Sequence, residues 1–268
     1  MSPLNIFLDD GGVITDKQRR AAEFERLVGD CFVPLLGGTE EAWTRAHRMV
    51  VDRLADPQSV RALATVDFVG FYRAYQLRWI GGMCELLGLP TPPEEERLDL
   101  ASRALSWISR RIHAVLPGAV ETIRLLHRQG YALYTASGSC SLELAGALEG
   151  MGVRHCFGRL YGADLINTFK DGPEYYVRLF TDVGIQPEEA LVVDDSADAI
   201  NWAAGSGPER SCSALRLISK QMRLRALAAW RNCQPSSDNN GEAVSRRGIR
   251  PSIRLPWRNM TGVNDCAT

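Results

Sequence analysis

The chain has 268 residues, of which 45% are hydrophobic and 24% are charged, and its formal net charge is −1. These values are typical of a globular protein with a sizeable core, and they argue against a general affinity for nucleic acid or for an anionic membrane. No apolar stretch reaches the roughly 18–20 residues that a membrane-spanning helix needs. We therefore predict neither a membrane nor a nucleic-acid partner.

The seven cysteines are scattered, with no Cys-x-x-Cys pair and no cysteine–histidine combination of metal-ligand spacing. This pattern predicts reduced thiols rather than a disulfide framework or a zinc site. Cys140 has no histidine near it in sequence, so we expect a buried thiol there rather than a nucleophile. The N-terminal residues carry no basic leader, and together these features predict a cytoplasmic protein.

The first predicted element is a short apolar strand, residues 4–8, which ends at Asp9 and Asp10 and is followed by Gly11 and Gly12. Such a run beside glycine is typical of a buried parallel strand, and ligands of open α/β sheets bind at the carboxyl ends of such strands. Burying acids there is costly unless they are paired, metal-bound or catalytic. Taken alone, the pattern fits a solvated Asp-Gly turn equally well.

Residues 17–114 show apolar residues at helical spacing and no strand pattern, so we predict a helical cap domain inserted after the first strand. Asp16, just before this insertion, is predicted to be a turn or cap residue rather than a ligand. Aromatic residues of the third helix could line a substrate pocket, although their spacing is more typical of core packing: Phe68, Phe71, Tyr72, Tyr75 and Trp79. The predicted helices cover residues 17–36, 40–55, 58–88 and 94–114.

After the insertion, strands alternate with helices. An apolar strand ends in hydroxyls at Thr135 and Ser137, and a later strand, residues 190–193, ends in Asp194 and Asp195. The alternation predicts an α/β fold with a doubly wound, mostly parallel sheet. We also predict a helix within residues 197–204 and a strand-like segment near residues 159–161. Asp198 is predicted to cap the turns of this helix that start near Ala199.

Lys170 lies between these two strands in sequence, and it is one of only three lysines in the chain. Carboxylates suit a hard cation such as Mg²⁺, which takes one or two carboxylates together with phosphate oxygens. A hydroxyl and an ammonium group bind phosphate oxygens as hydrogen-bond donors. Together, the strand-end acids, the Thr135 hydroxyl and Lys170 therefore predict a site for a divalent cation and a phosphate.

In this order and spacing, Asp9, Thr135, Lys170 and the Asp194–Asp195 pair resemble the haloacid dehalogenase superfamily over roughly residues 4–207. The resemblance implies a Rossmann-like core, residues 1–16 and 115–207, and a nucleophilic Asp9 that forms an aspartyl-phosphate. It implies that Thr135 and Lys170 act on the phosphoryl group of a small phosphate ester. For Mg²⁺, the resemblance implies Asp9, the Gly11 carbonyl, Asp194 and Asp195 as ligands, with either Asp194 or Asp195 as the inner ligand. For the phosphate, it also implies contacts with Asp10, Gly11, Ala136 and Ser137.

Position 11 departs from the pattern, because phosphatases of that superfamily carry there a second Asp that protonates the leaving group. Side chains alternate along an extended segment, so Asp10 points away from the side shared by positions 9 and 11. Gly11 leaves three alternatives: an impaired Mg²⁺-dependent phosphatase, a metal-independent haloacid dehalogenase, or a degenerate binding module. The paired acids Asp194 and Asp195 favour the phosphatase.

The C-terminal part has a different composition, since residues 208–268 carry a net charge of +7 and residues 1–207 one of −8. We predict a basic helix within residues 208–232 and a disordered tail over residues 233–268. A change of reading frame near residue 208 would give the same appearance.

Overall fold

The computed structural model describes residues 4–56 and 67–205. Four strands are present there: β1 (Asn5–Leu8), β2 (Ala132–Ala136), β3 (Phe157–Tyr161) and β4 (Ala190–Val193). The helices are α1 (Lys17–Leu36), α2 (Glu40–Ala55), α3 (Phe68–Leu86), α4 (Glu94–Ser109), α5 (Ala119–Arg128), α6 (Ser141–Gly150), α7 (Pro173–Val183) and α8 (Ala197–Ala204).

The strands form one sheet in the order β3-β2-β1-β4, and every strand pair in the described part of the chain is parallel. Strand β1 is central, and Leu8 at its end lies opposite both Thr135 and Val193. The polar residues that follow these three strands are therefore brought together at one edge of the sheet.

Apolar side chains of β1 alternate between two cores on opposite faces of this sheet. Ile6 and Leu8 pack in one core, which also contains Ile123 of α5. Phe7 packs in the other, together with Leu179 of α7. Helices thus cover both faces, which confirms the predicted doubly wound α/β fold.

Helices α1–α4 share a third hydrophobic core, in which Trp43 and Trp79 are among the fully buried side chains. Asp16 caps α1, because its carboxylate accepts a hydrogen bond from the Arg19 amide. The cap domain itself, residues 17–114, stays a prediction, although this separate core supports it.

Several predicted element bounds were wrong or fall outside the described residues. The fourth helix ends at Ser109 instead of residue 114, because the chain turns back to the core and Val115 forms an isolated bridge with Thr15. Helix α8 has the predicted bounds, Ala197–Ala204, but its cap is the Ser196 hydroxyl rather than Asp198. Residues 57–66 of the predicted third helix, and all elements predicted within 208–268, lie outside the described residues.

The four described cysteines, at positions 31, 84, 140 and 156, are buried free thiols. Cys140 is therefore buried, as expected from the sequence, and this burial raises the pKa of its thiol. None of the helices in residues 4–56 and 67–205 combines the length and the apolar character that crossing a bilayer requires.

Candidate functional site

Lys170 joins the carboxyl ends of three neighbouring strands. Its Nζ donates hydrogen bonds to Asp9 Oδ1 at 2.9 Å, to Asp194 Oδ2 at 2.6 Å and to the Ala136 carbonyl at 2.6 Å. Asp9 follows β1, Asp194 follows β4, and Ala136 ends β2. Because all three strands are parallel, a single ammonium group can reach all of them.

Asp195 completes a cluster of acids with Asp9 and Asp194, whose nearest carboxylate oxygens all lie within 4.8 Å of one another. Asp194 is held in place from a second side, since the Ser196 amide donates a 2.8 Å hydrogen bond to its Oδ1. Three hard oxygen donors at this spacing fit a small divalent cation such as Mg²⁺. The three carboxylates predicted as metal ligands are therefore close enough together to contact one ion.

Thr135 is fully buried, and its Oγ1 has no hydrogen-bond partner among the described residues. An unpaired buried hydroxyl is costly, so its persistence next to the acid cluster suggests a ligand that supplies the missing partner. Ser137 is differently placed, because its Oγ already accepts a 3.1 Å hydrogen bond from the Ser139 amide.

Lys17 is part of this site, although no sequence motif predicts a role for it. Its Nζ donates to both carboxylate oxygens of Asp195, each at 2.9 Å. Its side chain lies over Gly11, where an added Cβ would stand 2.9 Å from Lys17 Cε. Gly12 has a φ of +85°, and an added Cβ there would lie 2.3 Å from Asp195 Oδ2. The two glycines therefore let Lys17 and Asp195 approach the loop.

A second buried charge cluster connects the first helix of the insertion to the core. Arg20 of α1 forms an ion pair with Asp10, and its other terminal nitrogen lies 3.6 Å from Glu143 Oε2. Thr15 Oγ1 donates to Asp10 Oδ1 at 3.0 Å, and the Tyr72 hydroxyl donates to Glu143 Oε1 at 2.7 Å. The Asp10 carboxylate is thus occupied by Arg20 and Thr15, and the predicted phosphate contact at position 10 is left to the backbone.

The pKa values of the central pair follow from burial and charge. Burial, assisted by neighbouring Asp194, raises the pKa of Asp9 to about 7, although Lys170 opposes the shift. Burial alone would lower the pKa of Lys170, but the adjacent acids, Asp9 first, outweigh it and hold that pKa well above its usual range. Lys170 therefore stays protonated while Asp9 titrates.

This shift predicts that Asp9→Asn stabilises the metal-free protein, and more so at higher pH. An unfolded Asp titrates near pH 3.9, and the folded Asp9 near pH 7, so stability falls as the pH rises between these values. The amide of the Asp9→Asn variant does not ionise, so the variant does not lose this stability as the pH rises. We expect Asp9→Asn to raise Tm at pH 8, with a smaller gain at pH 5, in thermal melts with chelator.

Asp30→Asn is the control, because Asp30 pairs with Arg26 at the exposed surface of α1. We expect its effect on Tm to be nearly the same at both pH values. An Asp9→Asn protein that melts no higher than wild type at pH 8 would contradict the prediction.

Arg20→Met is predicted to destabilise the fold strongly. Arg20 is 8% exposed and faces two buried carboxylates, Asp10 and Glu143. Removing one partner of a buried ion pair costs about 3–5 kcal/mol, because the remaining charge is left uncompensated. Urea titrations would measure the loss in free energy of unfolding.

Arg26→Met is a matched control on the same helix, since the Arg26 side chain is 65% exposed and pairs with Asp30 at 2.9 Å. Exposed pairs contribute about 0–1 kcal/mol. Equal losses for the two methionine variants would show that the Arg20 cluster contributes no more than a surface pair.

Comparison with known proteins places this site in a family. A family model described as haloacid dehalogenase-like hydrolase matches residues 5–207. Phosphoglycolate phosphatase 1 of Pseudomonas aeruginosa is 26% identical over 174 residues, 62% of this chain and 63% of that protein. Probable phosphatase IndB of Dickeya dadantii is 28% identical over 125 residues, 44% of this chain and 54% of that protein.

These alignments span less than two thirds of the length of either curated relative. Among solved structures, a defluorinating L-2-haloacid dehalogenase is similar with a TM-score of 0.53 at 14% identity, covering 80% of each chain. At that identity the likeness concerns the fold alone. Because the family model covers most of the sequence and all the motifs gathered at the sheet edge, the chain belongs to the haloacid dehalogenase-like hydrolases.

Proposed function

We propose that the protein is a Mg²⁺-dependent phosphomonoester hydrolase that acts on a small molecule through an aspartyl-phosphate on Asp9. The observation that carries the proposal is the cluster of three acids bridged by Lys170 at one sheet edge. The unpartnered Thr135 hydroxyl in the same region supports a phosphate ligand. Both curated relatives carry phosphatase names, which agrees with this chemistry.

In the proposed reaction, an Asp9 oxygen attacks phosphorus, the ester P–O bond breaks, and the leaving alkoxide takes a proton from water. Water then hydrolyses the aspartyl-phosphate and restores the carboxylate. Thr135 donates to a phosphoryl oxygen, and Lys170 does so by exchanging one of its three hydrogen bonds for one to the phosphoryl group. Mg²⁺, when held by Asp9, Asp194, Asp195 and the Gly11 carbonyl, supplies positive charge that stabilises the developing negative charge.

The proposed enzyme lacks the carboxylate that would protonate the leaving alcohol, because position 11 is glycine. General acid–base catalysis contributes about 10²–10⁴ in rate. We therefore expect turnover to be slow on esters of poorly acidic alcohols and faster on activated esters such as aryl phosphates. The leaving group of an aryl phosphate is more acidic, so it needs less protonation as it departs.

The alternative function is metal-independent hydrolysis of a carbon–halogen bond, in which Asp9 attacks carbon and halide leaves. A specific observation favours it: the Lys17 ammonium lies against Asp195, and Lys170 pairs with Asp9 and Asp194, so every acid of the cluster already contacts a lysine ammonium group. A third alternative is a binding module that retains phosphate and metal but does not turn over. Gly11 is consistent with that alternative too.

A screen of phosphate esters and 2-haloacids, each with Mg²⁺ and with chelator, tests the proposal. We expect phosphate release with Mg²⁺, none with chelator, and no halide release. Halide release that persists in chelator, without phosphate release, would establish the dehalogenase alternative. No turnover of either class, with phosphate still bound, would favour the binding module.

We further propose that residues 17–114 act as a cap over this site and that the protein works on small molecules in the cytoplasm. The separate core of α1–α4 supports the first point. The buried free thiols support a reducing environment.

A further inference from the structure

A cavity of about 250 Å³ lies between the helical insertion and the α/β core. Its core side is formed by Gly138, Ser139 and Cys140, which follow β2 and lie close in sequence to Thr135. Arg20 and Glu143 also line it. The insertion side carries the charged side chains of Glu25, Arg48 and Asp52 and also six aromatic residues: Phe24, Phe68, Phe71, Tyr72, Tyr75 and Trp79.

The core side of this cavity carries an incompletely balanced buried charge. Glu143 is 2% exposed, and its Oε2 has no hydrogen-bond partner within the described part of the chain. Arg20 is shared between Glu143 and Asp10, so two carboxylates face one guanidinium. Glu143 Oε2 thus has only a shared cation 3.6 Å away and no hydrogen-bond donor, and such an oxygen gains most from a donor that is itself charged.

Resting on the proposed phosphatase function, we propose that the substrate is the phosphate ester of an amino alcohol with an aromatic ring. The ring occupies the aromatic side of the cavity, and the ammonium group, close to the ester oxygen, pairs with Glu143. Glu143 is then the residue that determines specificity.

The two sides of the cavity narrow the choice of ligand. A purely apolar alcohol would fill the aromatic side but leave Glu143 Oε2 without a donor. An alcohol that carries a carboxylate would place a third carboxylate near Glu143 and Asp10. A positively charged group and a planar ring satisfy both sides, since aromatic side chains pack favourably against another ring.

The inference can be tested with 2-amino-3-phenylpropan-1-ol and its matched control, 3-phenylpropan-1-ol, which lacks only the amine. We expect calorimetry on the full chain to show that the amino alcohol binds at least about tenfold more tightly, as a charge-assisted hydrogen bond provides. Glu143→Gln should remove this preference, measured as the ratio of the two affinities in the same variant.

Glu149→Gln, on the same helix, is the matched control variant, because Glu149 pairs with Arg110 at the exposed surface and does not line the cavity. It should retain the wild-type preference. Equal affinities for the two alcohols in wild type, or a preference that survives in Glu143→Gln, would overturn the inference.

Binding of the free alcohols requires no turnover, so this result is independent of the phosphatase proposal. Phosphate release from small acyclic esters, with no preference between the two alcohols, would overturn only the substrate class. Preferential binding of the amino alcohol, with no phosphate release from its phosphate ester, would support the proposed ligand specificity of the cavity and contradict the proposed phosphatase activity.

Discussion

Asp9→Asn is expected to eliminate phosphate release, lowering the rate by at least about 10³-fold, the scale seen when a catalytic nucleophile is removed. The amide has the shape of the carboxylate but cannot form the acyl phosphate. Lys170 keeps its contacts with Asp194 and the Ala136 carbonyl, so the pocket retains its charge partner. Phosphate release from an aryl phosphate with Mg²⁺ would measure the loss.

The control is Asp10→Asn, one residue along, whose carboxylate pairs with Arg20 and is not part of the three-acid cluster. We expect it to lower stability but to retain turnover below its melting temperature. If Asp9→Asn and wild type released phosphate at equal rates, Asp9 would have no place in the mechanism.

A nucleophile variant that is more stable than wild type would separate lost chemistry from lost folding. Burial of Asp9 beside Asp194 raises its pKa to about 7, so its ionised form is unfavourable in the folded chain. The acid is retained at a cost in stability, which is the pattern expected of an active site. An inactive, more stable Asp9→Asn protein would therefore be strong evidence for catalysis at this residue.

The gathering of Asp9, Lys170 and Asp194 could be predicted from the sequence because each lies next to a recognisable strand or helix. Parallel strands have their carboxyl ends on one edge, so the strand pattern alone brings Asp9 and Asp194 together. The position of Lys170 at the site could be predicted only from the order of motifs in a known superfamily. Its three hydrogen bonds to the strand ends depend on the loop before α7, whose course the sequence does not specify.

The contacts of Lys17 and Glu143 could not be predicted, because their partners lie far away in sequence. Lys17 and Asp195 are 178 residues apart, and neither helix periodicity nor strand pattern relates them. The sequence offered a weak signal for both residues: Lys17 is one of three lysines, and Glu143 is an acid within an apolar helix.

The aromatic residues of α3 show why two hypotheses could remain open. Phe71 and Trp79 belong to the core shared by α1–α4, as the helical spacing indicated. The same two side chains also line the cavity next to the core domain. Periodicity identifies the buried face of a helix, but it does not distinguish a face that packs against protein from one that also borders a cavity.

The contact between Lys17 and Gly11 bears directly on how the missing acid could be restored. Gly11 has no positive φ, so its backbone tolerates an L-residue. Its added Cβ would, however, stand 2.9 Å from Lys17 Cε and 3.2 Å from Lys17 Cγ. An aspartate introduced there would displace Lys17 or be neutralised by its ammonium group. Position 11 and Lys17 must therefore be considered together.

Gly11→Asp alone is expected to change the rate of phosphate release little, whereas Gly11→Asp combined with Lys17→Ser should raise it by about 10²–10⁴-fold, the contribution of a general acid–base group. Serine clears the space over Gly11 and removes the cation that would capture the new carboxylate. Steady-state kinetics on an ester of a poorly acidic alcohol is the most sensitive measurement, since that leaving group depends most on protonation.

Lys17→Ser alone is the necessary control, and it has its own expected result. Removing the ammonium group 2.9 Å from Asp195 frees one acid of the cluster, so Mg²⁺ should bind about tenfold or more tightly in calorimetry. Its rate at saturating Mg²⁺ should stay low, because it still lacks the acid at position 11. If Gly11→Asp alone matched the double variant, Lys17 would not obstruct that position. If neither exceeded wild type, the leaving group would take its proton from elsewhere, and Gly11 would not be the reason for slow turnover.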